Sequence, residues 1–239
     1  MKILISGGNG RFAKELIKHN TEHILIPLSK NEMDIMNLIS IDNAIKKYNP
    51  DVFIHAAALS RPMNLHDSNP VTGIQLNIIG TSNCIISCIQ NNVKFVYIST
   101  DFVYPGVDGN YKETDGVYPV NKYAWSKLGG ECASMMYDNS LILRMAMLEY
   151  PFTHTKAFID SFKSCIWQHD AAKLLYKLLA HDVKGIYNVG LKRNSIYNFV
   201  NQENINILEE YKNAAAGDIP GDTSMNTDKL NKMIDDTII

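Results

Sequence analysis

The sequence predicts an α/β fold, a doubly wound parallel sheet with helices on both faces and a small C-terminal lobe. Three observations predict it. Apolar runs of strand length recur at 23–28 (HILIPL), 51–57 (DVFIHAA), 94–100 (KFVYIST), 140–146 (SLILRMA) and 185–189 (GIYNV), each after a helix-compatible segment. The runs are apolar on both sides, as in a sheet covered on both faces, and parallel neighbours need crossover connections. The chain has 239 residues, enough for one large α/β domain or one domain with an appended lobe.

Taken in order, Lys2–Ser6 reads as a buried strand, and Phe12, Ala13, Leu16 and Ile17 then repeat at helical spacing. The glycines of GGNG fall in the turn between them. Gly7 and Gly10 can adopt positive φ and carry no Cβ, so backbone N–H groups at the helix start can approach a pyrophosphate. A plain chain reversal would look the same at this point. The longest helical candidate is 71–90, followed by 121–138, and 104–119 reads as a loop through Pro105, Gly106, Gly109, Gly116 and Pro119. Beyond Arg144 the regularity decays into a loop at 149–156, a helix near 168–181, the strand at 185–189 and a polar tail with Gly217, Pro220 and Gly221. No linker separates two units. Residues 1–148 are read as the sheet domain and 149–239 as a lobe intertwined with it, on the carboxyl edge where ligands of doubly wound sheets bind.

A net charge of −2 gives no basic footprint, so nucleic acid is not an expected partner. No apolar run is long enough to span a bilayer; no membrane association and a cytoplasmic location are the expectation. The four cysteines are Cys84, Cys88, Cys132 and Cys165, with no nearby histidine or third thiol to complete a zinc site around the first pair; no metal is expected. Arginine occurs only at 11, 61, 144 and 193, which makes each position worth attention.

Tyr123 and Lys127 lie four apart in a helix-compatible run and share a face. Tyr118 and Lys122 have the same spacing, but Pro119 biases Tyr118 out of the helix. A phenol is protonated at neutral pH and can donate its proton, and a nearby ammonium favours the phenolate and lowers the pKa. The strand KFVYIST ends in Ser99, Thr100 and Asp101, placing a hydroxyl of Ser99 or Thr100 at the sheet's carboxyl end, where it can hydrogen-bond a carbonyl that Tyr123 protonates. A surface lysine beside a half-buried aromatic and a capping hydroxyl are the alternatives.

These residues, taken together, resemble an extended short-chain dehydrogenase/reductase with a Rossmann-like sheet, and within that group the dTDP-4-dehydrorhamnose reductase family. The resemblance rests on GGNGRFA, HAAA at 55–58, Asn77 in QLNIIGTSN, STDFVYPG at 99–106, YAWSK at 123–127, LILR at 141–144 and DTSMNTDKL at 222–230, in family order. It implies a catalytic set of Thr100, Tyr123 and Lys127: Thr100 polarising a keto oxygen, Tyr123 donating the proton, Lys127 lowering its pKa and binding the nicotinamide ribose. It implies a cofactor site from Gly7, Asn9, Gly10, Arg11 and Phe12, Ser29 and Lys30, Asp34 and Ile35 along the adenine, and Ala56, Ala57 and Ala58 beside the cofactor, with Asn77 in support. The substrate it implies is a nucleotide-linked 4-keto-6-deoxy sugar; a homodimer is compatible with the sequence but not required by it.

NAD-selective sites usually carry a carboxylate after the second strand. Here Ser29 and Lys30 follow it and no acid is expected, while Arg11 can reach a 2′-phosphate, which favours NADPH and leaves NADH as the alternative. Two stretches depart from the family pattern. Arg144–Glu149 lacks the aromatic residues of R-T-S-W-V-Y, and RPMNLHDSNP at 61–70 lacks the acidic V-D-x-A-E pattern, which leaves the sugar open. Two other functions share the motifs: a nucleotide-sugar epimerase or dehydratase that recycles its nicotinamide, and a cofactor-binding regulatory subunit. Phe102 stands where dehydratases carry the second member of an acidic pair after the catalytic threonine.

Overall fold

The computed structural model describes residues 1–203, 206–212 and 219–235; Gly217 of the expected polar tail lies outside them. Five parallel strands, β1 (Lys2–Ser6), β2 (Ile24–Leu28), β3 (Val52–His55), β4 (Lys94–Thr100) and β5 (Ser140–Leu148), form a sheet in the order β2-β1-β3-β4-β5. The chain leaves β1 toward β2 on one side and returns to β3 on the other. That reversal opens a crevice at the carboxyl ends of β1 and β3. β5 carries two further partners: Ala146–Leu148 pair with β8 (Cys165–Trp167), and Leu141–Met145 with β9 (Gly185–Val189). Both enter from beyond residue 149, so the lobe segment shares the sheet.

Alternation along each strand feeds two cores, because successive side chains point to opposite faces. Ile3, Ile5, Val96 and Leu141 pack with α1 (Arg11–Lys18) and α7 (Gln168–Ala180); Leu4, Phe53, Phe95 and Tyr97 pack with α2 (Leu38–Tyr48) and α5 (Gly80–Gln90). α6 (Lys122–Ser134) lies against β4 and α5 on that second face. Its start is fixed by Asn121, whose side chain accepts from the Ala124 N–H at 2.8 Å. β2 is only partly covered, as an edge strand is, rather than apolar on both faces.

The helix expected over 71–90 is built in pieces. α3 (Leu65–Ser68) and α4 (Pro70–Gly73) precede a π-helical turn at Ile74–Ile79, and α5 continues from it. A π turn inserts one extra residue and rotates the next helical turns about the axis; here buried Asn77 lies within it and bonds to Leu59 and Ser126. The helix expected over 121–138 stops at Ser134, and the strand expected to end at 146 runs on to Leu148. A small layer of short strands was not legible: β6 (Lys156–Phe158) with β11 (Leu208–Glu210), and β7 (Phe162–Lys163) with β10 (Asn194–Ser195). With α8 (Ile196–Asn201) they enclose their own cluster around Trp167, Phe199 and Ile207, and α9 (Asp228–Asp235) packs back on β9.

The four cysteines are free, and Cys84, Cys88 and Cys165 are buried. Among the described residues no group of His, Cys, Asp and Glu is arranged to hold a metal ion, and no helix is long and apolar enough to cross a membrane.

α6 approaches the sheet through Gly130, where a Cβ would stand 2.4 Å from Tyr97 Oη and 2.8 Å from Asn77 O. Gly130→Ala is therefore expected to destabilise the protein by about 1–3 kcal/mol despite alanine's better helix propensity. A urea denaturation midpoint at or above the parent's would contradict this packing.

Candidate active site

The glycine turn is held by its neighbours. Gly7 has φ +68° and a Cβ there would meet Ala57 Cα at 2.8 Å, so the close crossing of the first turn under the HAAA segment needs glycine. Gly10 caps α1, its N–H donating to Gly7 O at 2.7 Å, and no side chain caps the helix. The first-turn N–H groups of α1 thus have no capping side chain, an arrangement that fits an anionic phosphate.

A cleft of about 470 Å³ opens at this point. Of the sequence-predicted residues, Gly10, Arg11, Phe12, Ala56, Ala58, Thr100, Tyr123 and Lys127 line it together. Gly7, Asn9, Ser29, Lys30, Asp34, Ile35 and Ala57 do not. Gly7 and Ala57 lie beneath the turn, with the Ala57 N–H donating to Ser6 Oγ; Asn9 and Lys30 are exposed, and Ile35 is buried against Gly80. Asp34 accepts from the Met36 N–H at 3.0 Å.

Two charged groups near these positions already have partners. No acid stands at 29 or 30, but the chain turns back so that the Glu32 carboxylate accepts from the Ser29 N–H at 2.8 Å and Ser29 Oγ at 2.6 Å, which holds its pKa below the usual carboxylate value. Arg11 is paired as well. Its Nη1 lies 2.7 Å from Glu149 Oε1, and Arg61 Nη1 meets the same oxygen at 2.7 Å. One carboxylate therefore bridges two guanidinium groups across the cleft.

Tyr123, Thr100 and Asp101 form the cleft's proton-bearing wall. Burial and the Asp101 carboxylate push the Tyr123 hydroxyl up to about 12, against a hydrogen bond with Thr100 and the charge of Arg61. Tyr123 is thus protonated at neutral pH, and the charge of Arg61 draws it toward ionisation. The Lys127 ammonium instead rests 4.2 Å from the centroid of the Tyr97 ring, and burial lowers its pKa to about 7 while Glu131 pulls it up. Of the two hydroxyls at the end of β4, Ser99 donates to Glu131 Oε2 at 2.7 Å, whereas Thr100 is beside Tyr123.

Buried hydrogen bonds support this wall. Asn77 accepts from the Leu59 N–H at 2.8 Å and donates to Leu59 O and to Ser126 Oγ, which donates to Tyr123 O. Thr81 Oγ1 donates to Asn77 O, so it accepts from His55 Nε2, leaving Nδ1 to accept from Ser6 Oγ. Burial first, and the Lys127 charge next, push His55 down to about 3, so it stays neutral. One turn beyond Lys127 on α6, Glu131 pairs with Arg144.

Sequence reasoning missed Arg61, Glu149 and Lys163 as cleft residues. The scarcity of arginine was the one signal pointing to Arg61; the other two come from outside the matched motifs.

The model of the RmlD substrate binding domain matches residues 1–177. The chain belongs to this family. Every cleft residue named above lies inside the matched span. A dTDP-4-dehydrorhamnose reductase of Aggregatibacter actinomycetemcomitans is 30% identical over 148 residues, 60% of this chain and 50% of the relative. Methionine adenosyltransferase 2 subunit beta of Xenopus laevis is 26% identical over 157 residues, 62% of this chain and 47% of the relative. These alignments span about half the length of the curated relatives. The fold is shared with a crystal structure of dTDP-4-dehydrorhamnose reductase from Bacillus anthracis in complex with NADP, at a TM-score of 0.86 and 21% identity, over 97% of this chain and 92% of that one.

The Lys127 environment makes a stability prediction. Folded Lys127 releases its proton near 7, while unfolded lysine holds it to about 10.4, so the unfolded state binds more protons between these values and stability rises with pH there. The cost of burying the charge is fully present below pH 7. Lys127→Met is expected to be more stable than the parent below pH 7, with the advantage shrinking toward pH 10.4. Thermal unfolding across that range checks it; an advantage independent of pH would contradict it.

Proposed function

We propose that this chain is an NADPH-dependent reductase of a nucleotide-linked 4-keto-6-deoxy sugar of the dehydrorhamnose type. The observation that carries the reading is that Thr100, Tyr123 and Lys127 line the same cleft as the glycine turn at the start of α1. A family relative bears the name dTDP-4-dehydrorhamnose reductase, and a structure of the same fold was determined with NADP.

The fit to a dinucleotide comes from the chain itself. The side-chain-free approach at Gly10 and the uncapped start of α1 suit a pyrophosphate, Ala56 and Ala58 give an apolar wall, and Arg11 is the guanidinium for a 2′-phosphate. NADPH bound there supplies a hydride to the substrate's keto carbon. Thr100 Oγ1 holds the keto oxygen, and Tyr123 gives its hydroxyl proton to that oxygen as the carbonyl is reduced. A phenol near 12 is fully protonated at pH 7 and remains more acidic than the alcohol that forms when it protonates the alkoxide. Lys127, whose pKa lies near neutrality, supplies an ammonium to the cofactor's ribose and favours the phenolate left on Tyr123.

Purified protein incubated with NADPH and a 4-keto-6-deoxy nucleotide sugar should consume the reduced nicotinamide one-for-one with the sugar. Tyr123→Phe should lower kcat at least a hundredfold, the usual size of a lost acid-base group, with NADPH affinity within about twofold. Unchanged kcat would remove Tyr123 from the reaction. Arg11→Ala should weaken NADPH more than NADH; equal losses would argue against the 2′-phosphate contact and leave Glu149 as the partner of Arg11.

A second reading is supported by the 26% identity to a methionine adenosyltransferase subunit: a cofactor-binding regulatory subunit of a partner enzyme. Tight NADPH binding without sugar turnover would favour it over the reductase.

A further inference from the structure

Asp101 and Lys163 carry opposite charges into the wall of the cleft, and the proposed reduction uses neither. Lys163 comes from β7 in the C-terminal lobe. Its ammonium donates to Asp101 Oδ2 and to Thr223 Oγ1 at 3.1 Å, and stands 3.8 Å from the centroid of the Phe102 ring. Thr223 donates in turn to Asp101 Oδ2, and Thr100 Oγ1 lies 3.2 Å from Asp101 Oδ1. Asp101, Lys163 and Thr223 are 3%, 6% and 1% exposed, so the charges meet with little water between them. A buried pair of this kind is expensive to assemble and strongly felt by its neighbours.

The neighbour that matters is Tyr123. The charged and titratable groups around its hydroxyl are Asp101 beside Thr100, Arg61 from the segment after β3, His66 of α3 with its ring 5.5 Å from the tyrosine ring, and Lys127 one turn on in α6. Asp101 opposes ionisation of the phenol, and Lys163 is the cation that faces Asp101 from behind.

We propose that Lys163 is a positioning residue for Tyr123: by neutralising Asp101 from the C-terminal lobe, it sets how readily the Tyr123 hydroxyl releases its proton. Docking of the lobe then tunes the proton donor, since β7 and the Thr223 segment both end on the same carboxylate. The kinetic consequence rests on the reductase reading, while the electrostatic link between Lys163 and Tyr123 does not. Two substitutions should act with opposite sign. Lys163→Met leaves the carboxylate unopposed and disfavours the phenolate; Asp101→Asn leaves the ammonium and favours it. A purely structural role would not produce that reversal.

The test is 13C NMR of the full chain labelled at tyrosine Cζ, titrated with and without NADP+, the Tyr123 line being identified by its loss in Tyr123→Phe. Relative to the parent, and at a fixed pH below its midpoint, the Tyr123 line should show about tenfold more phenolate in Asp101→Asn and about tenfold less in Lys163→Met, the midpoint falling in the first and rising in the second. The double variant Asp101→Asn/Lys163→Met, which buries no unpaired charge, should fall between the two single variants and keeps the comparison available if a single variant fails to fold. Midpoints in this order support the proposal even if no sugar is turned over, in which case the reductase reading alone fails. Midpoints that do not move, or that move in the same direction in both single variants, or a double variant outside the interval between them, overturn it even where turnover is intact.

Discussion

The arrangement of the cleft depends on one buried ion pair, Glu131 with Arg144. Glu131 sits one turn beyond Lys127 on α6, and Arg144 sits in the middle of β5, so the pair fixes the helix against the sheet in both rotation and register. Its oxygens are fully used: Ser99 Oγ donates to Oε2, Arg144 Nε donates to Oε1 at 3.1 Å, and Arg144 Nη1 reaches Tyr104 Oη at 2.8 Å. Tyr104 Oη donates in turn to Asn188 Oδ1 on β9. Breaking such a pair from one side costs about 3–5 kcal/mol because a charge is left buried alone. The consequence for chemistry is that Tyr123 and Lys127 keep their places beside Thr100 without depending on the loops around them.

The cleft itself is a balance of charges drawn from distant parts of the chain. Arg11 and Arg61 converge on Glu149, and Lys163 converges on Asp101, while Lys127 rests on the Tyr97 ring with the next turn's carboxylate near it. Cations outnumber anions along the wall, as suits a polyanionic ligand. The glycine turn brings backbone donors without adding bulk, and Ala56 and Ala58 line the cleft with small apolar side chains.

Much of this was legible in the sequence where the signal is local. The opening strand and the later apolar runs became β1 to β5 and β9 because strands covered on both faces need uninterrupted apolar residues, with only the edge strand β2 relaxing that demand. Pro119 did separate the two tyrosines: Tyr118 is 66% exposed outside α6, while Tyr123 lines the cleft. What was not legible depends on long-range or single-residue events. Glu149 lies 138 residues from Arg11, and no periodicity links them. The Glu32 carboxylate returns to Ser29 through a turn, which an inspection of the adjacent positions overlooks. The π turn at 74–79 is one inserted residue in an otherwise helical pattern, and strands of two or three residues such as β7 are too short to carry a period.

The most direct test of the central claim is amide hydrogen exchange in Glu131→Gln, which keeps the shape of the side chain and removes its charge. The account predicts that protection falls selectively over 122–134, while β1 and β3 retain theirs. Equal loss across the sheet and the helix, or unchanged protection in α6, would contradict the claim that this pair holds α6 in place.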